Sequence, residues 1–329
     1  MSKTALVLGA GGFIGGHLVK RLKREGFFVV GADLRRVQDW WQSGADVSFG
    51  DCDLREPREA ARVLEHPYDA VYQLAADMGG MGFISSSEIE CLTNNARINM
   101  NCSSAAASAG VKRYLFSSSV CVYRDVSPLG PGAPSLTEAD AYPAGPDNEY
   151  GWEKLYSERV AQAFARRHPA MRVRIARFEN CFGPHGSWTG GREKAPAALA
   201  RKVAEAPEGG SVEVWGDGSA TRSFIYVDDL VDGIRALTES DEARPTNIGT
   251  EEIVTVRELA EDMIRISGKK LSIAYDPTKP VGVQGRNFSH ARMRALGWEP
   301  KISLHEGLRR TYEWIGGQVA KAGGPREAA

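Results

Sequence analysis

No stretch of this chain is apolar for long. Its longest apolar runs, such as residues 27–32, are strand-sized, far short of the roughly 18 residues that cross a bilayer as a helix. The opening run, 5–8, is broken at once by glycines, so it reads as a strand and not as a signal peptide. Cysteine is scarce. The five present are odd in number and lack C-x-x-C spacing, which offers no disulfide framework and no zinc knuckle. Six histidines show no metal-ligand spacing either. An excess of one charge sign is also missing: 41 Lys plus Arg nearly cancel 42 Asp plus Glu, for a formal net charge of −1. A nucleic-acid binder carries a basic excess or stripe, and none is visible. Any basic residues that matter are expected to grip one small anion. The expectation is a reduced, cytoplasmic, metal-free protein with neither nucleic acid nor membrane as partner.

What is present is ordinary globular composition, 42% hydrophobic and 25% charged over 329 residues. That suffices for one large or two modest domains. Short apolar runs (4–8, 27–32, 47–49, 70–74, 113–117) alternate with helix-period segments at 13–25, 56–65 and 94–109, then a helix at 152–167 and a strand at 172–177. This alternation predicts right-handed crossovers and an α/β fold, a Rossmann-type doubly wound parallel sheet. After about Phe182, Gly and Pro punctuate shorter elements at 196–205, 212–215 and 271–275. They predict a smaller, irregular C-terminal α/β lobe for substrate. The expected division gives 1–182 to a dinucleotide domain, with 223–240 returning to it. Residues 183–222 and 241–318 form the second lobe, and 319–329 fray.

Gly9-Ala10-Gly11-Gly12-Phe13-Ile14-Gly15 follows a strand and opens a helix. Glycines there permit a tight turn and let backbone approach a pyrophosphate, which rests on the unpaired N–H groups of the helix N-terminus. A plain strand-to-helix turn is the competing reading. Asp33, 18 residues past Gly15 at the end of the second strand, weighs against it. A carboxylate there accepts from ribose hydroxyls and repels a 2′-phosphate. NAD is therefore expected over NADP, with Arg35 and Arg36 arguing the other way. Asp53, Leu54, Leu74, Ala75 and Ala76 end the third and fourth strands, where adenine and ribose would rest.

Tyr150 and Lys154 stand four apart, hence on one helical face. A lysine beside a tyrosine lowers the phenol pKa, suiting it to take a proton from an alcohol as hydride leaves. Such a pair is commonly just a solvated face. It gains weight from Ser117-Ser118-Ser119 at the end of the preceding strand, the edge where ligands bind in such sheets. Cys121 shares the face of Ser119 if that strand continues; otherwise it is a small buried hydrophobe. Lys194, in a Gly- and Pro-bounded loop, reads on its own as a surface charge.

These features, with Trp215-Gly216-Asp217-Gly218, the run 222–229, Asn247-Ile248-Gly249 and Leu296-Gly297-Trp298, resemble the nucleotide-sugar branch of the extended short-chain dehydrogenase/reductase superfamily over nearly the whole chain. Three stretches narrow it. Residues 74–83 around Asp77-Met78-Gly79-Gly80-Met81-Gly82, residues 190–198 around Arg192-Glu193-Lys194, and 285–287 resemble the GDP-mannose 3,5-epimerase subfamily. The resemblance implies NAD in the first lobe, a GDP-sugar in the second, and a homodimer through first-lobe helices. It implies that Tyr150 and Lys154 serve oxidation at C4′, with Ser119 on the C4′ oxygen. The ketone then acidifies the C3′ and C5′ protons, which Cys121 and Lys194 exchange as base and acid. Asn95 joins the cofactor set. Gly79, Met81, Gly82, Asn180, Glu193, Lys202, Arg222, Arg286 and Tyr312 match substrate-binding positions.

The chain departs from the pattern twice. Arg124 stands where the family motif has proline, and Gln284 replaces a basic residue before Gly285. The first leaves open whether both carbons or only C5′ invert. The other enzyme reading is accordingly a C5′-only epimerase making GDP-L-gulose. A non-catalytic NAD-sensing regulator is disfavoured by the retained Tyr–Lys pair. A 4,6-dehydratase is disfavoured because Val120-Cys121 replaces its Asp-Glu pair.

Overall fold

The structure is a computed structural model and describes residues 2–42, 44–126, 134–279 and 281–323. The first half builds strands β1 (Thr4–Leu8), β2 (Phe28–Ala32), β3 (Val47–Phe49), β4 (Ala70–Gln73), β5 (Arg113–Ser119) and β6 (Arg172–Phe178). Between them run α1 (Phe13–Arg24), α2 (Pro57–Val63), α3 (Met81–Ser86), α4 (Glu88–Ser108) and α5 (Glu149–Arg167). With β10 (Thr246–Ile248) these strands form one seven-stranded sheet, ordered β10-β6-β5-β4-β1-β2-β3, and every pairing in it is parallel. Parallel strands covered on both faces must be apolar on both. In β1, Ala5 and Val7 enter the core beside Leu18, Val19 and Leu22 of α1. Leu6 and Leu8 enter the opposite core beside Cys102 and Ala106 of α4 and Ala161 of α5. Because β1 pairs both β2 and β4, the winding reverses at its carboxyl end, which is where a ligand crevice opens in such sheets.

The second lobe holds β7 (Asn180–Phe182), α6 (Ala195–Glu205), β8 (Ser211–Trp215), β9 (Thr221–Tyr226), β11 (Ile253–Thr255), α8 (Val256–Ser267), β12 (Ser272–Asp276), α9 (Ala291–Ala295) and α10 (Leu304–Gly323). Three strands pair as β11-β9-β7, and β12 pairs with β8. Helix α8 starts where Thr255 and Glu258 cap each other reciprocally, a side-chain pattern that satisfies N–H groups the first turn leaves unpaired.

Several short pieces sit elsewhere than the sequence reading placed them. Residues 180–182 pair with β9 in the small sheet, whereas 246–248 add the seventh strand to the large one. Of 223–240, the strand part stays with the small sheet, and α7 (Val227–Glu239) packs on α1 and β6. A three-residue apolar run carries no mark of its partner, since pairing is decided by contacts distant in sequence. Helix α10 continues to Gly323, with Val319 packed against the core, so 319–323 do not fray; residues 324–329 lie outside the described residues.

Candidate active site

A cavity of about 530 Å³ opens beyond the carboxyl ends of β1, β2 and β4. Gly9, Gly12, Phe13, Ile14, Gly15, Asp33, Asp53, Leu54, Leu74, Ala75 and Ala76 all line it. Two glycines make its floor possible. Gly9 has φ +85°, and a Cβ there would lie 2.9 Å from the Ala75 nitrogen; one on Gly15 would lie 2.0 Å from the Gly9 carbonyl oxygen. Helix α1 therefore starts directly on the turn, with no acidic residue in its first turn and no side-chain cap. Its free N–H groups and bare backbone fit the pyrophosphate of a dinucleotide. The Asp33 carboxylate accepts from the Gly11 N–H at 3.0 Å and the Arg35 N–H at 2.9 Å, tethering the glycine turn to the end of β2. Hydrogen bonds from Arg55 hold the Asp53 carboxyl below its usual range.

Leu34, Arg35 and Trp41 also line this end, and the Arg35 guanidinium lies 4.6 Å from the Trp41 ring centroid. Periodicity gives no signal for Trp41, because its backbone belongs to no strand or helix. Asn95 is placed otherwise than expected. It is buried within α4 and does not line the cavity; its side chain accepts from the Asp77 N–H at 2.6 Å and donates to the Asp77 carbonyl at 2.9 Å. Its work is to hold the loop after β4.

At the end of β5, Lys154 is buried and donates to the Ser117 carbonyl at 3.0 Å. Its ammonium lies 5.6 Å from the Tyr150 ring centroid. Ser119 ends β5, its hydroxyl accepting from the Cys121 N–H at 3.1 Å. One expectation needs correction here. Burial pushes the Tyr150 phenol well above its ordinary value, with Cys121 and Glu153 adding to the effect and Ser119 opposing it. Burial also lowers Lys154. Burial thus works against the phenolate, opposite to the effect the spacing suggested, because both groups have been taken out of water.

The reason given for Cys121 is also revised. Strand β5 ends at Ser119, and residues 120–122 form a 3₁₀ turn whose Cys121 N–H donates to the Ser119 hydroxyl at 3.1 Å. Cys121 is thus not on the strand face. The turn presses it onto the first turn of α5, where a Cβ on Gly151 would sit 2.2 Å from the Cys121 carbonyl oxygen. It packs against the cluster of Ile84, Cys91 and Tyr150. Cys121 is half-buried, whereas the four other cysteines are buried.

Lys194 is no solvated surface charge. It is the N-cap residue of α6 and lines the cavity, its ammonium 3.4 Å from Asn180 Oδ1. Burial lowers its pKa, opposed by Cys181 and Cys121. Beside it, Glu193 faces Arg201 at 3.5 Å, and its Oε2 is buried without a partner among the described residues.

The two arginines meet at the second lobe. Arg222 donates to the Thr221 and Val281 carbonyls at 2.7 and 2.8 Å. Burial lowers its pKa, and the positive charge of Arg286 lowers it further. Arg286 pairs with Asp147 at 2.6 Å and keeps a buried Nε without a partner. Adjacent guanidiniums with a spare donor fit a diphosphate, whose oxygens take paired N–H groups. Lys202 pairs with Glu213 at 2.7 Å and lies 5.8 Å from the Trp215 ring centroid. A Cβ on Gly82 would stand 3.9 Å from that ring. Gly79 lines the cavity. Met81 opens α3, but its side chain lies outside the described residues.

Tyr312 does not join them. It packs against the core from α10 and does not line the cavity. Arg124 is exposed and bridges backbone to Pro146. The residue the sequence reading passed over is Glu153, buried beside Lys154 and accepting from Asn99 at 2.8 Å and Ser157 at 2.5 Å. The helical period puts 150, 153, 154 and 157 on one face, so a signal was there.

The NAD dependent epimerase/dehydratase family matches residues 5–249, and the chain belongs to that family. Within it, the chain is 42% identical over 316 residues to GDP-mannose 3,5-epimerase of Arabidopsis thaliana, covering 96% of this chain and 82% of the relative. It is 30% identical over 317 residues to GDP-L-fucose synthase 1 of the same plant, covering 95% of this chain and 93% of the relative. Among solved structures, UDP-glucose 4-epimerase of Thermotoga maritima with UDP-glucose aligns with a TM-score of 0.85 and 25% identity, covering 96% of this chain and 99% of that one. MoeE5 in complex with UDP-glucose and NAD aligns with a TM-score of 0.80 and 28% identity over the same shares, 96% and 99%.

Proposed function

We propose that the protein is an NAD-dependent isomerase that epimerises GDP-D-mannose at C3′ and C5′, giving GDP-L-galactose and GDP-L-gulose through a transient 4-keto sugar. The observation that supports the reading is that Cys121 packs against the cluster holding Tyr150, whose ring lies 5.6 Å from the Lys154 ammonium, while Lys194 lines the cavity. A sugar C–H between alcohols is too weak an acid for any side chain. A neighbouring ketone turns its carbanion into an enolate and brings it within reach. Bound NAD supplies reversible hydride acceptance at C4′, held by the Gly9–Gly15 turn and Asp33. Ser119 and Tyr150 hold the C4′ oxygen, and Tyr150 takes its proton when in its phenolate form beside the Lys154 ammonium. Cys121 removes a proton from carbon, and Lys194, half-buried at the cavity wall, returns one from the opposite face. The arginines anchor the diphosphate.

Both inversions need the same ketone and the same pair, and the exposed side chain of Arg124 gives no support to restricting the reaction to C5′. We also read the protein as a homodimer. Ile89 and Met100 on α4 and Trp152 and Tyr156 on α5 are large apolar side chains left exposed at 74%, 38%, 41% and 50%. Five free cysteines support a reducing compartment, the cytoplasm. Among the described residues no helix is long and apolar enough to cross a membrane. Incubation with GDP-mannose and NAD, followed by NMR of the sugar, tests the reading. Products inverted at C3′ and C5′ support it; unchanged substrate or a 6-deoxy-4-keto product overturns it.

A further inference from the structure

Two glycine-rich loops from different lobes touch across the mouth of the cavity. The first, 77–83, is rooted in the cofactor lobe. Asp77 is held at both backbone groups by Asn95, and its Oδ2 accepts from Asn94 at 3.0 Å. The second, 190–194, feeds α6, with Lys194 as its N-cap. Gly190 and Gly191 precede it with φ of 86° and 81° and no neighbour within 4 Å of an added Cβ, a conformation that glycine adopts without strain. The loops meet through Arg192. Its guanidinium donates to Asp77 Oδ1 at 2.9 Å and the Met78 carbonyl at 3.3 Å, and lies 3.8 Å from the Phe83 ring centroid. Its own carbonyl accepts from the Gly80 N–H at 3.1 Å. A Cβ on Gly80 would come within 2.5 Å of the Glu193 carbonyl oxygen, so the two backbones are in contact.

We propose that Arg192 is a positioning residue: by clasping Asp77 and Phe83 it fixes the Glu193–Lys194 edge over the sugar end of the cavity and keeps the mouth closed while the ketone exists. An exposed ion pair by itself contributes little. Here the same guanidinium also stacks on an aromatic face, and its backbone is stitched to the opposing loop. The arrangement matters for this chemistry because a 4-keto sugar that escapes is lost before the hydride returns to it. The inference rests on the epimerase reading for its substrate, but the clasp itself does not.

The test compares wild type with Arg192→Ala, Phe83→Leu and the double variant. Without substrate, hydrogen exchange of the 190–194 amides is expected to quicken in Arg192→Ala, and unchanged exchange overturns the clasp whatever the reaction is. With GDP-mannose, Arg192→Ala is expected to lower kcat about tenfold or more, raise KM, and release 4-keto sugar that wild type retains. Phe83→Leu should do the same to a lesser degree. The double variant should be no worse than Arg192→Ala, since the two side chains act as one unit. Wild-type kcat and KM in a folded Arg192→Ala, with only the melting temperature lowered, assign a merely structural role and overturn the proposal. A wild type inert on GDP-mannose refutes the substrate reading and leaves the hydrogen-exchange result to decide the clasp.

Discussion

Burial acts on Lys194 in a direction that the pH dependence of the reaction should report. An ammonium donates a proton only below its pKa, and burial lowers that value. Epimerisation should therefore be full on the acid side of the lowered pKa and fall as pH rises through it, at a pH below the ordinary lysine value. Lys194→Arg keeps a charge that does not titrate in proteins. It should lose the alkaline limb and run about 100-fold slower, in the range for removing a general acid. A pH profile of kcat showing the wild-type limb in that variant contradicts the role given to Lys194. At this scale much was legible because the residues are neighbours in sequence. The glycine turn and Asp33 all line the cavity. Asn95 and Tyr312 match ligand positions in the resemblance, but Asn95 is spent on the Asp77 loop and Tyr312 packs against the core. What a buried side chain bonds depends on elements the local sequence does not show. The acidity expected of Tyr150 failed for the same reason, since spacing reveals a neighbour but not the loss of water.

Among the elements, the turn between β1 and α1 carries the sharpest steric constraint. The carbonyl a methyl on Gly15 would strike is backbone, at 2.0 Å, and cannot swing away as a side chain can. Gly15→Ala should weaken NAD binding by at least about tenfold, or ~1.4 kcal/mol, with the fold retained by circular dichroism. Calorimetric titration showing wild-type affinity would rule out this account of the cradle. The alternation of strand and helix in the first half follows from short apolar runs whose both faces are covered, and β1 and β3 fall at the boundaries read from sequence. Helix α4 begins at Glu88, earlier than periodicity suggested, because its first turn is polar and held by its acidic residues. The exchange of β7 and β10 between sheets was invisible, as were the 3₁₀ turn that carries Cys121 and the clasp between Asp77 and Arg192, 115 residues apart. Each is a long-range pairing with no periodic trace.

For the whole molecule, the exposed apolar stripe on α4 and α5 and the site between the lobes are the two features that reach beyond single elements. Trp152 and Tyr156 are one helical turn apart and face outward together. Replacing both with Lys should turn a dimer into a monomer by light scattering; a wild-type assembly state in that variant would place the interface elsewhere. The proposed reaction divides the chemistry, oxidation beside Tyr150 and inversion between Cys121 and Lys194, and that division is the central claim. The measurement that tests it most directly is solvent deuterium uptake at C5′ of GDP-mannose by Cys121→Ala in heavy water, alongside wild type. The account predicts uptake at C5′ and C3′ by wild type, retention of the C4′ hydrogen, and loss of carbon exchange in the folded variant. C5′ exchange at the wild-type rate in Cys121→Ala would contradict it.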